Sequence, residues 1–357
     1  MKEFLSEYNA LCLSGVETGS GVIEFELKCF SCDAPARQFL KCIKGHTGYY
    51  ACERCEVRGE KRGGTMTYEG TDYALRTEDK FSAFEYEKHQ HVKSILIDHG
   101  IHCNDKFVLD YMHLVFLGVV KRIVYFLQGG PRMCRLSNGQ LGIISDKLDT
   151  LRNQLPTEFA RQPRGLKHLK RWKATEFKQF LLYTRMSVFK GVVSKDRYEH
   201  FLGLFISISV MMYYKPSNVE YMELFHFAKD LLKWFVDISP AMYGNTFVVY
   251  NVNNLIHLHE DVEKNQCGLK DMSAFPFEIF LQRVKKMVRK THQPVSQIAK
   301  RVEEMEESNY TYTSKDIKTK VEGNKNNGRN SWFLLKNNKI GEVSRLVIMS
   351  KLDCFHL

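Results

Sequence analysis

The chain contains no run of about 18 apolar residues, so its sequence offers no obvious membrane span. Its start, MKEFLSEYNALCLSG, has acids in the first turns and no basic stretch ahead of an apolar core, which argues against a secretory signal. No internal repeat is present. Acidic residues are in short supply, 41 Asp and Glu against 52 Lys and Arg, giving a net charge of +11 and a pI near 9.0. That balance favours an acidic partner such as nucleic acid, the plainer reading being a basic, solubilising surface. What is plentiful is apolar and aromatic matter: 44% hydrophobic residues, 24 Phe and 17 Tyr exclude wholesale disorder. At 357 residues two domains are the natural expectation. Ten cysteines without an export signal suggest reduced thiols or metal ligands rather than disulfides.

Along the chain, residues 1–60 combine a short amphipathic helix (Phe4, Leu5, Tyr8, Leu11, Leu13) with a strand, VIEFELKCF. The polar, glycine-bearing stretch 57–80 reads as loop with room for a hairpin. From about 106 the pattern is helical: LDYMHLVFLGVVKRIVYFLQGG reads as one helix ending at Gly129-Gly130, with Pro131 beyond. Further helices are expected at 140–153, 173–190, 196–214 and 218–238. Leu224, Phe227, Leu231, Trp234 and Ile238 of the last read as a buried stripe. FLGLFISISVMMYY reads as a core helix, and Phe277–Lys290 as a basic helix with apolar Phe277, Leu281, Val284 and Val288. The domain reading is 1–105, an α/β segment with a Cys/His loop; 106–275, mainly helical; 276–312, a basic helical segment; and 313–357, a flexible linker ending in a short β-prone segment around SRLVIM.

One segment concentrates candidate chemistry: FSCDAPARQFLKCIKGHTGYYACERC, from Phe30 to Cys55. Cys52-x-x-Cys55 has the spacing that lets one turn present two thiolates to a tetrahedral zinc. Two further ligands are needed, from Cys29 with Cys32, or from His46, His89, His91 and Cys103; reduced cysteines in a core are the alternative. Asp33 follows the strand directly, where a carboxylate either projects rigidly into a cleft or caps a turn. Asp110 and His113 stand three apart, on one helix face, able to hold a metal, position a phosphate or satisfy each other. Glu278 sits at the head of the basic helix after Pro276, where an acid also suits the helix dipole.

Two stretches are strongly basic. Residues 161–190 carry nine Lys/Arg against one acid, including Arg164, Lys167, Lys170, Arg171 and Lys173; residues 281–301 carry seven and no acid, including Arg283, Lys285, Lys286, Arg289 and Lys290. Interleaved aromatics (Trp172, Phe177, Tyr183) would suit base stacking beside phosphate contacts, the alternative being a solvated helix face.

Taken in order, CDAPAR, IKGHTGYYACERC, LDYMHLVFLGVVKRI, LPTEFARQPRGL, RWKATEFKQFLLY, YNVNNLIHLHEDV and MSAFPFEIFLQRVKKMVRKTHQPVSQIAKR resemble transposase-derived proteins of animal genomes related to CACTA (En/Spm)-type transposons. The resemblance spans roughly residues 1–310. It implies a ribonuclease-H-like α/β core interrupted by a helical insertion (106–275 here), and DDE-type acids holding two divalent ions, usually Mg²⁺, for phosphodiester attack. By motif, Asp33 is similar to the second catalytic aspartate, Asp110 and His113 to the family's D-x-x-H, Glu278 to the terminal glutamate, and Cys52/Cys55 to a structural cysteine pair. The pattern also implies an aspartate on an earlier strand, whereas the 32 residues before Asp33 contain none. The expectation is therefore a partial ribonuclease-H-like core, truncated or domesticated, with DNA as partner and the nucleus as location. It would carry a structural Zn, would be able to form a homo-oligomer, and would need Mg²⁺ or Mn²⁺ only if a missing exon or partner chain supplied the first acid. A protein-interaction scaffold without DNA binding is the remaining alternative.

Overall fold

Short strands are rare and helices dominate among the described residues, which in the computed structural model are 2–310 other than 20, 153, 157, 158 and 160. The expected linker and β-prone end, 313–357, lie outside them. The architecture is mixed α/β, with three two-stranded sheets among the described residues. By packing the described residues divide into two units, 9–274 and 2–8 with 275–310.

In the larger unit, β1 (Val16–Thr18) and β2 (Gly21–Ile23) pair antiparallel, and β3 (Phe30–Cys32) runs parallel to β6 (Phe107–Leu109). The strand expected over VIEFELKCF is thus confined to its two ends, with residues 24–29 irregular between them. Only the end paired with β6 is buried: Phe30 stacks on Phe107 with ring centroids 4.5 Å apart, while β2, paired with β1, is exposed. β4 (Glu60–Arg62) and β5 (Thr65–Thr67) form the hairpin that 57–80 had room for. Gly63 and Gly64 make its turn, both with positive φ (+52° and +79°), which glycine adopts without steric cost and which matches the twist of the flanking strands.

The single helix expected from Leu109 onward starts later. Phe107–Leu109 is a buried strand, the chain turns at Asp110, and a π-helical stretch, Met112–Val120, leads into an α-helix, Lys121–Gly129. A continuous apolar run carries no period, so FVL could not be told from the helix that follows it. Met112–Gly129, with a mean hydropathy of 1.3, is the one helix among the described residues apolar and long enough to cross a membrane; half of it is buried inside the fold. Gly118 allows that packing, since a Cβ there would stand 2.6 Å from the Asn251 amide.

Helices Asn138–Leu151, Lys195–Met212 and Val219–Tyr243 answer the sequence expectation to within a few residues at each end. The 173–190 segment is built from two short α-helices, Ala174–Gln179 and Arg185–Phe189, joined through a π-helical turn. The stripe expected to be buried on the 219–243 helix is a correction: Leu224 is 53%, Phe227 54% and Trp234 39% exposed. A second stripe, Phe225, Ala228, Leu232, Phe235 and Val236, faces the core instead. Both are apolar at helical spacing, and packing against Lys195–Met212 selects the rotation. The approach is close at Gly203, where a Cβ would meet Trp234 at 3.0 Å and Leu231 at 3.3 Å.

Among the buried histidines of this unit, His200 and His89 each contribute a pH dependence of the same sign. His200 contacts the Phe235 carbonyl (Nε2, 2.9 Å) and the Tyr243 hydroxyl (Nδ1, 3.3 Å); His89 contacts the Tyr50 carbonyl (Nδ1, 2.7 Å). A carbonyl only accepts, so those nitrogens carry a proton. Burial, the largest cause, lowers the pKa of His200 to about 4 and of His89 to about 3. Below pH ~6.5 the unfolded chain therefore binds protons that the folded one refuses, and stability falls as pH falls. Urea unfolding should show a loss of about 1–2 kcal/mol per histidine between pH 7 and pH 5, with a smaller loss in His200→Gln.

Candidate metal centre

The CERC loop is fixed by its two central residues as well as its cysteines. Glu53 accepts from Arg37 Nε and Lys41 Nζ, both at 2.8 Å, and from the Tyr250 hydroxyl at 2.5 Å. Arg54 donates to Asp261 Oδ1 and to the Phe107 carbonyl, both at 2.5 Å, and to the Asn104 carbonyl. All of these charged groups are buried. Burial works against the Glu53 carboxylate, but Arg37 and Lys41 hold its pKa well below the usual range. One residue of the loop thus ties it to the helix Ala34–Lys41, and the next to β6 and the helix Leu258–Asn265.

Held this way, Cys52 and Cys55 face inward with their sulfurs 3.5 Å apart, and the Cys55 backbone N–H points to Cys52 Sγ at 3.4 Å. His257, at the end of the 3₁₀ turn Asn254–His257, joins them: Cys52, Cys55 and His257 each bring a donor atom within 4.8 Å of the others, and all three are buried. Glu260 Oε1 lies 2.6 Å from His257 Nδ1, so the carboxylate accepts from the Nδ1–H group. That leaves Nε2, buried and without a hydrogen-bond partner, as the nitrogen available to the sulfurs. A carboxylate behind a ligating histidine fixes its tautomer and orientation, an arrangement common at metal centres.

The three groups shift one another's protonation. Burial opposes the Cys52 thiolate, yet hydrogen bonding from Cys55 and the His257 charge hold its pKa well below the ordinary thiol range. Burial likewise opposes His257 protonation, yet Cys52 and Glu260 raise its pKa to about 9. The Cys55 thiol is pushed up by its hydrogen bond to Cys52 and by burial. The three groups are thus coupled to one another, and with their protons lost, two thiolates and an imidazole could hold a metal such as zinc. Ala51, Val57, Tyr68 and Tyr250 pack with the two cysteines in one buried hydrophobic cluster.

The other ligands weighed from sequence lie outside this group. Cys32 ends β3, its thiol pKa raised to about 12 chiefly by burial; Cys29 precedes that strand; His46 stands exposed, its ring edge toward Tyr250. His89, His91 and Cys103 are not among the gathered ligands either. His257 was missed because it stands about two hundred residues from the pair. The local sign was His257-x-x-Glu260, an imidazole and a carboxylate on one helical edge.

The candidate acids have definite places. Asp33 and Asp110 each follow directly on a strand of the parallel β3/β6 pair, whose last register partners are Cys32 and Leu109. Asp33 is half-buried and caps the helix Ala34–Lys41, accepting from Ala36 N at 2.9 Å. Asp110 is fully buried and spent: Oδ1 accepts from Ala274 N (2.8 Å) and Met112 N (3.4 Å), and Oδ2 from His113 N (3.1 Å) and His113 Nδ1 (2.6 Å). Glu278 stands in the first turn of the helix Phe275–Met287, in the smaller unit.

The basic residues separate sharply. Arg164 binds Glu176 (2.6 and 2.8 Å) and Lys167 lies 3.6 Å from Asp149, while Lys170, Arg171 and Lys173 are exposed. Trp172 and Phe177 are buried against Phe180, which removes them as stacking platforms; Tyr183 is exposed, edge-on to Phe159. In the smaller unit the basic helix ends at Met287 rather than Lys290. There Gln297 Oε1 takes the N–H groups of Arg289 and Lys290 (2.9 and 3.1 Å) and closes a turn into the helix Pro294–Tyr310. Arg283, Lys286, Arg289 and Arg301 line one open cleft of about 390 Å³ in this hairpin, with Glu304 answering Arg301 at 2.6 Å. Lys285 and Lys290 are exposed beside it. No protein-family model and no curated protein matches the chain.

Proposed function

We propose that this chain is a transposase-derived nuclear protein that binds DNA and does not cut it, with a structural zinc ion at Cys52, Cys55 and His257. The basic cleft of the 275–310 hairpin carries the binding half of this reading. Arg283, Lys286 and Arg289 converge there without an ion-pair partner among the described residues. Cations held together against their own repulsion suit a phosphate backbone, which releases its counterions on binding. The parallel β3/β6 pair with an aspartate after each strand supports descent from a ribonuclease-H-like core. The absence of cutting is argued from Asp110, since a carboxylate already accepting from four donors has no lone pair directed at a metal ion. Two sulfurs and a nitrogen in a buried setting favour zinc over Mg²⁺, which prefers oxygen donors and bound water.

Duplex DNA titrated at several salt concentrations should show affinity falling steeply with salt. Arg283→Ala/Lys286→Ala should weaken binding for all sequences alike and lower the log–log salt slope by about 2. Unchanged affinity and slope in that variant would remove the cleft from the reading. Strand cleavage with Mg²⁺ or Mn²⁺ should not be observed; cleavage that Asp33→Ala abolishes would establish an active nuclease instead.

A further inference from the structure

We infer that the side-chain oxygen of Asn254 is the fourth ligand of the metal centre, completing a Cys₂–His–Asn set. This rests on the proposed zinc occupancy of Cys52, Cys55 and His257. Asn254 is fully buried and opens the 3₁₀ turn that His257 closes. In a 3₁₀ helix residues three apart eclipse, so the two side chains leave the same edge of the turn. The amide's orientation is set by its own hydrogen bond, Nδ2 donating to the Tyr250 carbonyl at 2.8 Å. That leaves Oδ1 to accept from the Cys52 thiol, with Sγ and Oδ1 3.6 Å apart.

The separation is informative. A zinc ion about 2.3 Å from sulfur and about 2.1 Å from oxygen, at tetrahedral angles, holds those donors about 3.6 Å apart and two sulfurs about 3.8 Å apart. The structure has 3.6 Å for the sulfur–oxygen edge and 3.5 Å for the sulfur–sulfur edge. Two edges of a coordination tetrahedron are therefore close to their ligated lengths. A water ligand is the natural rival in a three-residue site, but the apolar packing of Ala51, Val57, Tyr68 and Tyr250 offers it few partners. Asn253 is the second rival: it is buried, and both its amide atoms lack hydrogen-bond partners. It lies four residues before His257, and no hydrogen bond joins it to either sulfur among the described residues.

The test uses the full chain loaded with Co²⁺, whose visible d–d bands report ligand type and coordination number, together with Zn²⁺ competition. The wild type should bind one metal with four-coordinate bands. Asn254→Leu should shift those bands and lower affinity on the order of 10- to 100-fold. Asn254→Asp, which keeps volume and oxygen, should retain four-coordinate bands and bind at least as tightly as the wild type. Asn253→Ala should leave the spectrum unchanged. A Co²⁺ spectrum and affinity unaltered in Asn254→Leu would overturn the assignment, as would a change confined to Asn253→Ala. Failure of the wild type to bind either metal would instead refute the zinc reading on which the assignment rests.

Discussion

Arg54→Met should destabilise the larger unit by about 3–5 kcal/mol in urea unfolding, the range for removing one member of a buried ion pair. Arg54 neutralises Asp261, and the same guanidinium satisfies the carbonyls of Phe107 and Asn104. Its loss leaves a buried carboxylate and two orphaned acceptors, each costing about 1–3 kcal/mol when nothing replaces the donor. Asp261→Leu in the same background should recover part of the loss by removing the unpaired charge. Recovery stays incomplete, because Asp261 Oδ2 also accepts from Leu109 N at 2.6 Å and that N–H then loses its partner. A single variant within ~1 kcal/mol of the parent would show that the network contributes little and that apolar packing holds the loop.

Metal removal should have the second large effect. The purified chain should carry about one zinc ion, and stripping it should lower the thermal midpoint of the larger unit by roughly 8–16 °C. A ligand at a thousandfold excess over its Kd stabilises by about 4 kcal/mol, and each kcal/mol moves the midpoint of a unit this size by about 2–4 °C. Cys52→Ser should reproduce that shift and lose the metal. Glu260→Gln should keep the fold but weaken metal binding on the order of 10- to 100-fold, because His257 loses the carboxylate that orients it. Elemental analysis finding no metal, with melting unaffected by chelator, would leave Cys52, Cys55 and His257 as a buried thiolate–imidazolium cluster.

The contrast between these charges and the exposed ones explains where sequence reading succeeds. Arg54, Arg164 and Arg283 look alike in a count of basic residues, yet the first is buried against Asp261, the second clasps Glu176 and the third faces an open cleft. Charge counts are local, whereas the partner that cancels a charge lies anywhere in the chain. The same holds for Asp110. Its nearness to His113 was legible as i,i+3 spacing, but the donor that fills its other oxygen is the backbone of Ala274. Periodicity failed where apolar residues were abundant rather than scarce. The 219–243 helix offered two apolar stripes, and FVLDYMHLVFLG offered no period at which to separate strand from helix.

By itself the sequence determined the mixed α/β class, most of the long helices and the paired thiols of Cys52 and Cys55, because each depends on neighbours a few residues away. Only the tertiary structure decided the third donor, His257, the carboxylate behind it, the burial of Glu53 and Arg54, and which apolar face of the 219–243 helix meets the core. Those depend on contacts between segments far apart in the chain, and such contacts leave no fixed spacing in the sequence.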